Sequence, residues 1–193
     1  MNDIQTTNQT KYKSKHKTST KNLVLTSMFT AILCVMAQIS IQTPMIPFTM
    51  SLFAIFLIGA LLPPRLAMMS VLAYVLLGAF GLPVFAGFKG GLPVVVGMTG
   101  GFIMAYPVMS LVTALFYRIV KKHKIVALSI GMLLSLILCY LIGSLWFSYS
   151  TGNSFYYALT VCVAPYILFD LIKIVLAISV STVLRAAITI ASE

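Results

Sequence analysis

Pro165-Tyr166-Ile167-Leu168-Phe169-Asp170-Leu171-Ile172-Lys173 sets an acid and a base three residues apart inside a long apolar run near the C-terminus. Asp170 is one of only 3 acidic residues in 193, and the other two, Asp3 and Glu193, lie at the ends of the chain. Everything around Asp170 reads as membrane, where a bare carboxylate costs roughly 2.5–3.5 kcal/mol on insertion scales. On a helix Lys173 falls on the same face and offsets that charge. Ionisable groups at such depth mark either a functional site or an ion pair that only fixes helix packing. Both readings stand at this point.

Working outward, the composition agrees with a membrane setting. Apolar residues make up 60% of the chain and charged ones 8%, and mean hydropathy is +1.04. That is a polytopic, all-α integral membrane protein rather than a soluble domain. The net charge of +10 does not point to nucleic acid, because of where the cations stand. Lys11, Lys13, Lys15, Lys17 and Lys21 crowd the N-terminal tail, and Arg118, Lys121, Lys122 and Lys124 sit between two apolar runs. Such positions suit the cytoplasmic ends of membrane spans and anionic lipid headgroups.

Residues 1–21 are polar and predict a disordered, basic cytoplasmic tail. Residues 22–193 form the membrane-embedded domain, a predicted bundle of six transmembrane helices. The apolar segments run over about 23–41, 48–62, 66–80, 99–120, 125–147 and 157–187, with Pro63-Pro64-Arg65 as a sharp break and Pro165 inside the last. The second and third are short for a span of about 20 residues and suit the bundle interior. With a cytoplasmic N-terminus, eleven of the 13 Lys and Arg residues lie inside, only Lys89 lies outside, and Lys173 is within a span. That asymmetry predicts a cell-membrane protein with both termini cytoplasmic. Trp146, Phe147, Tyr149, Phe155, Tyr156 and Tyr157 then form an aromatic belt at the outer interface.

Two outer loops are unusual. Residues 81–101 are too apolar for a solvated loop and too rich in glycine and proline for a helix. Irregular backbone at membrane depth is tolerated where it lines a cavity or is buried in protein. Glycines such as Gly90 and Gly91 would let backbone approach a ligand, while Gly97 and Gly101 also fit a GxxxG packing step. Lys89 in this loop is the one outer cation able to meet an anionic solute. The loop 42–49 carries Pro44 and Pro47 and no charge, and suits a lid. On the first span Ser27 and Ala31 form a small-xxx-small step, for packing within the bundle or for docking another membrane protein.

Several classes are excluded by what the chain lacks. It has no GxxxxGK[ST] and no HExxH, and its histidines, His16 and His123, fall in predicted cytoplasmic segments. Cys34, Cys139 and Cys162 have no metal or disulfide spacing. An aspartyl intramembrane protease needs a second buried acid. Coupled porters usually carry several membrane carboxylates or paired broken repeats. The chemistry left is solute binding without catalysis, cofactor or metal.

The chain resembles the biotin-specific substrate-binding (S) components, BioY, of energy-coupling factor (ECF) transporters. The resemblance runs from about Leu23 to the C-terminus and is carried by Pro44-Met45-Ile46-Pro47-Phe48-Thr49, Gly81-Leu82-Pro83-Val84-Phe85-Ala86, Thr99-Gly100-Gly101 and Asp170-Leu171-Ile172-Lys173. It implies a six-helix bundle with an outward vitamin cavity formed partly by the loop after the third helix and by the sixth helix. It also implies partners: a transmembrane coupling protein docked on Ser27 and Ala31, and two ABC ATPases. Phe169 stands where the family commonly has glycine, and Met98 where it commonly has proline. Biotin's ureido N–H groups need an acceptor, for which Asp170 is the one membrane carboxylate, and its own carboxylate needs a cation, for which Lys173 and Lys89 are the candidates. Phe85 serves as apolar wall, with Gly90, Gly91 and Thr99 completing the site. Lys173 is open to a second role, neutralising Asp170 alone. Two other classes remain: a stand-alone secondary transporter of biotin or another small vitamin, and a scaffold or channel subunit with a structural ion pair.

Overall fold

Pro63 and Pro64 cut an otherwise unbroken apolar stretch into two short helices, the first of which lies against four other helices of the bundle. The computed structural model describes residues 2–43, 46–120 and 122–190, with side chains for 20–43, 46–120 and 122–186. In chain order the elements are α1 (Asn2–Gln38), β1 (Ser40–Ile41), β2 (Phe48–Thr49), α2 (Ser51–Leu61), α3 (Pro64–Ala79), α4 (Leu92–Val96), α5 (Gly100–Ile119), α6 (Lys124–Thr151), α7 (Phe155–Cys162) and α8 (Ile167–Ile190). Four helical stretches are long and apolar enough to cross a membrane: Thr20–Gln38, Gly100–Ile119, Lys124–Thr151 and Ile167–Ala186. The expected tail, 1–21, falls within α1 from Asn2 on, and its side chains before Thr20 lie outside the described residues.

α2 is apolar on every face, and such a helix belongs in a core. It packs against α1, α3, α5 and α8, and Phe53, Ile55, Phe56 and Ile58 are buried. Its approach to α5 is close enough to require glycine: a Cβ on Gly59 would lie 2.7 Å from the Thr113 Cβ and 2.9 Å from the Ser110 carbonyl oxygen. With 11 residues, and a rise of about 1.5 Å each, α2 is about 16 Å long, half a bilayer core. The interior position expected for this short segment is observed. Its neighbours are pinned by hydroxyls. Thr30 donates to the Ser70 carbonyl across α1 and α3 at 2.9 Å, and Thr113 to Ser135 across α5 and α6 at 3.1 Å. In lipid such bonds average about 0.6 kcal/mol each.

Three sequence expectations are corrected. The last apolar segment is not one helix: α7 ends at Cys162, turns cover the region up to Tyr166, and α8 starts at Ile167. Pro165 has no N–H to donate, so the ladder stops there. The glycine-rich loop carries a helix of its own, α4, entered through Gly91 at φ 95°. Finally, Phe147 is 1% exposed and belongs to the core, whereas Tyr149 and Tyr156 are 85% and 80% exposed. The aromatic belt therefore loses Phe147. Trp146 donates its indole N–H to the Gly97 carbonyl at 2.9 Å, tying α6 to the residue after α4.

Candidate functional site

At the end of the bundle where α3 stops and α5 begins, irregular backbone encloses a cavity of about 380 Å³. Its walls come from five places: the loop between the two short strands (Gln42, Thr43, Ile46, Pro47), Thr49 with Ser51 at the head of α2, Tyr74 of α3, the 85–99 segment, and the first turns of α5 (Phe102, Ile103, Tyr106). The volume fits a ligand of vitamin size, for which pockets start at about 300 Å³. Its polar groups are amides and hydroxyls, and Lys89 is its only charged lining residue.

The segment that holds Lys89 is built by pairing and by restraint. Phe85 and Lys89 exchange both backbone hydrogen bonds, at 3.0 and 3.3 Å, closing a tight turn. Gly87 and Phe88 sit in that turn at φ 72° and 56°, and a left-handed phenylalanine costs about 1–3 kcal/mol. Gln38, at the end of α1, supplies the compensation. Its carbonyl accepts from the Phe88 N–H at 3.0 Å, and its amide donates to the Val84 carbonyl at 3.0 Å and the Phe85 carbonyl at 3.3 Å. Phe85 is 3% exposed and meets the Tyr74 ring edge-on, centroids 5.5 Å apart. It packs flat over Gly78, where any Cβ would collide with the ring. Phe85 thus anchors the loop to α3 as well as lining the cavity.

The ion pair lies behind the cavity rather than in it. Lys173 Nζ stands 2.7 Å from Asp170 Oδ1, and the Tyr140 hydroxyl donates to Asp170 Oδ2 at 2.6 Å. Lys173 also lies 4.0 Å above the Phe48 ring centroid, while Phe169 meets Phe48 edge-on at 5.2 Å. Asp170 and Lys173 are 2% and 3% exposed. They border a second space of about 40 Å³, room for water but not for a bicyclic ligand. Ile46, Pro47, Thr49, Phe102 and Tyr106 line both spaces, so one layer of side chains separates the pair from the larger cavity.

Of the expected site residues, Phe85, Lys89 and Thr99 line the large cavity, and Asp170 and Lys173 the small one. Gly90 and Gly91 line neither. A Cβ on Gly90 would strike the Leu82 carbonyl, and the Gly91 N–H donates to the Gly78 carbonyl at 2.6 Å. Both glycines close the loop on itself. Met98 lies on the cavity wall, and Phe169 packs against Phe48. Pro44 and Met45 of the expected lid lie outside the described residues, but Tyr166 donates to the Ile46 carbonyl at 2.5 Å, holding that loop to the turn before α8. Ser27 and Ala31 are exposed on α1, so packing within the bundle is not their role. Sequence reasoning missed Gln38, Tyr106 and Tyr140. Their signal was a hydrogen-bonding side chain in an apolar helix, which at membrane depth needs a partner.

Comparison with known proteins agrees with this architecture. Residues 8–190 match the model of the BioY family. The chain is 36% identical over 161 residues to a probable biotin transporter BioY of Pyrococcus horikoshii, covering 83% of this chain and 94% of that one. It is 36% identical over 157 residues to the biotin transporter BioY of Thermotoga maritima, covering 81% and 91%. The fold superposes on the crystal structure of the S-component for biotin from an ECF-type ABC transporter with TM-score 0.79 and 25% identity, covering 88% of this chain and 93% of that one.

Proposed function

The chain belongs to the BioY family, and we propose that it is the biotin-binding membrane subunit, or S component, of an ECF-type ABC uptake transporter. The observation that carries this reading is the cavity of about 380 Å³, walled by aromatic, hydroxyl and amide groups, with one cation at its edge and a buried carboxylate one layer behind. Biotin has a carboxylate at one end and a ureido ring at the other, which suits that polarity. The valerate carboxylate lies toward Lys89, the exposed end. The ureido ring lies against Phe102 and Tyr106, and rotation of those two side chains brings its N–H groups to Asp170. Lys173 offsets the charge of that carboxylate at 2.7 Å.

Six helices cross or partly cross the membrane, α1, α2, α3, α5, α6 and α8, with α4 and α7 at the cavity end. Both termini are cytoplasmic, which puts the cavity outside. Ser27 and Ala31 on the exposed side of α1 receive a transmembrane coupling protein, which joins two ABC ATPases.

Equilibrium binding or calorimetry on the purified chain in detergent tests the assignment. Saturable biotin binding without ATP is expected. Binding of another vitamin with none of biotin sinks it, and biotin uptake by this chain alone in proteoliposomes would favour the stand-alone transporter instead.

A further inference from the structure

A second cavity of about 520 Å³ lies at the far end of α5, between the α2–α3 break, the α5–α6 connection and the last turns of α8. Phe102 and Tyr117 mark the two ends, 15 residues apart on one helix, or about 22 Å at 1.5 Å per residue. Three cations border it, Arg118, Lys124 and Arg185. Lys124 and Arg185 both lie over the Tyr117 ring, at 4.5 and 4.0 Å from its centroid. Lys124 donates to the Tyr117 carbonyl at 2.9 Å, and Arg185 to the Ala60 carbonyl. Those carbonyls end α5 and α2, so two of the cations cap helix C-termini.

Capping does not neutralise Arg118 or Lys124, and among the described residues neither forms an ion pair. Among the described residues the only acidic side chain is Asp170, held by Lys173 at the other end of the bundle. Arg118 adds a third positive charge with a cavity beside it. The N-termini of α3 and α6 open on the same region, and neither has a side-chain cap, so their partial positive charge adds to that of Arg118 and Lys124. The remaining wall is apolar, with Leu61, Leu62 and Ala114. A site that is cationic and apolar at the end of membrane-crossing helices matches a phosphate joined to acyl chains.

We propose that this cavity binds the phosphate headgroup of an anionic membrane lipid. The phosphate sits between Arg118 and Lys124, and the glycerol and upper acyl carbons lie along Leu62. The apolar wall distinguishes this source from free phosphate, which has no use for it.

The test uses the full chain in phosphatidylcholine nanodiscs doped with phosphatidylglycerol, with lipid retention read by native mass spectrometry after release. Arg118→Gln and Arg118→Gln/Lys124→Gln should each lower phosphatidylglycerol retention, by about fivefold per charge removed. Lys122→Gln, an exposed cation of the same connection that does not line the cavity, should leave it within about twofold. Arg118 is exposed, so its single variant reports binding even if the double variant folds poorly. Equal losses in Arg118→Gln and Lys122→Gln would mean surface attraction and no site. Thermal stabilisation by inorganic phosphate as large as that by phosphatidylglycerol would overturn the lipid source. Wild type that retains no phosphatidylglycerol would overturn the proposal and leave the cavity to an acidic segment of a partner protein.

Discussion

The two spaces that share Phe102 and Tyr106 are built on opposite principles. The larger is lined by neutral polar and aromatic groups, with a cation at the rim. The smaller is built around a buried ion pair that already satisfies itself through Tyr140 and Phe48. A neutral site admits a ligand at little desolvation cost and discriminates weakly. A buried carboxylate discriminates strongly, because a ligand that displaces Tyr140 without bringing matching donors leaves an acceptor unmet. On the proposed reading, the second behind the first makes entry and selection separate steps.

The largest effect should come from the ion-pair side. Asp170→Asn removes the charged acceptor, and biotin binding should weaken by roughly 1.5–3 kcal/mol, about ten- to a hundredfold in Kd. The same change strands Lys173 as a buried cation, and breaking such a pair typically costs about 3–5 kcal/mol of stability. Affinity must therefore be measured on the folded fraction, by calorimetry of the monodisperse peak. Asp170→Leu/Lys173→Met separates the two effects: it should stay folded, since an apolar replacement of a whole pair is often neutral, and bind no measurable biotin. A folded double variant with near wild-type affinity would make the pair structural and collapse the two-step distinction.

Next in size is Lys89→Gln at the rim. Because Lys89 is exposed, its attraction for a carboxylate is screened and is worth about 1 kcal/mol, or about fivefold in Kd. Raising ionic strength should shrink the wild-type advantage and leave the variant unchanged. An effect as large as that of Asp170→Asn would reverse the assignment of entry and selection.

Gln38→Leu should act through Lys89 without touching the ligand. The leucine keeps the bulk but frees the Phe88 turn to leave its left-handed conformation. Biotin affinity should fall by no more than about fivefold, the worth of one hydrogen bond. The double variant Gln38→Leu/Lys89→Gln should lose no more than Lys89→Gln alone, because both act on one contact. Additive losses in that cycle would show that Gln38 serves the site by another route.

How much of this was legible follows from the range of the forces involved. The membrane class, the interior place of α2 and the Asp170–Lys173 pairing depend on composition and on i,i+3 spacing, which a sequence displays. The placement of that pair behind a wall depends on Phe48 and Tyr140, 125 and 33 residues away from Lys173 in the chain. No local pattern encodes those contacts. The same holds for Gln38, whose partners lie 45 to 50 residues on. Gly90 and Gly91 could not be assigned from sequence, because glycine serves close approach to a ligand and to backbone equally well. Pro165 was visible as a helix breaker, but a proline in a membrane helix can kink it or end it. Only the turns up to Tyr166 decide which.

The smallest effect on binding, and the sharpest contrast with the cavity, should come from the outer face of α1. Ser27 and Ala31 are exposed there beside Val24, Met28 and Val35. They lie four residues apart on one stripe, where small side chains let another helix approach closely. Nothing in the bundle leans on them, so Ala31→Leu should leave fold and biotin affinity unchanged, within about twofold. Leucine would instead hold a partner helix off the stripe and weaken assembly. Uptake of labelled biotin by cells supplying a coupling protein and ATPases should fall steeply, with copurification of the coupling protein falling in parallel. Ser27→Ala, which keeps the stripe small, should preserve both. Full uptake by the Ala31→Leu variant would remove this face from the docking surface and leave the cavity's position as the only guide to where the partner sits.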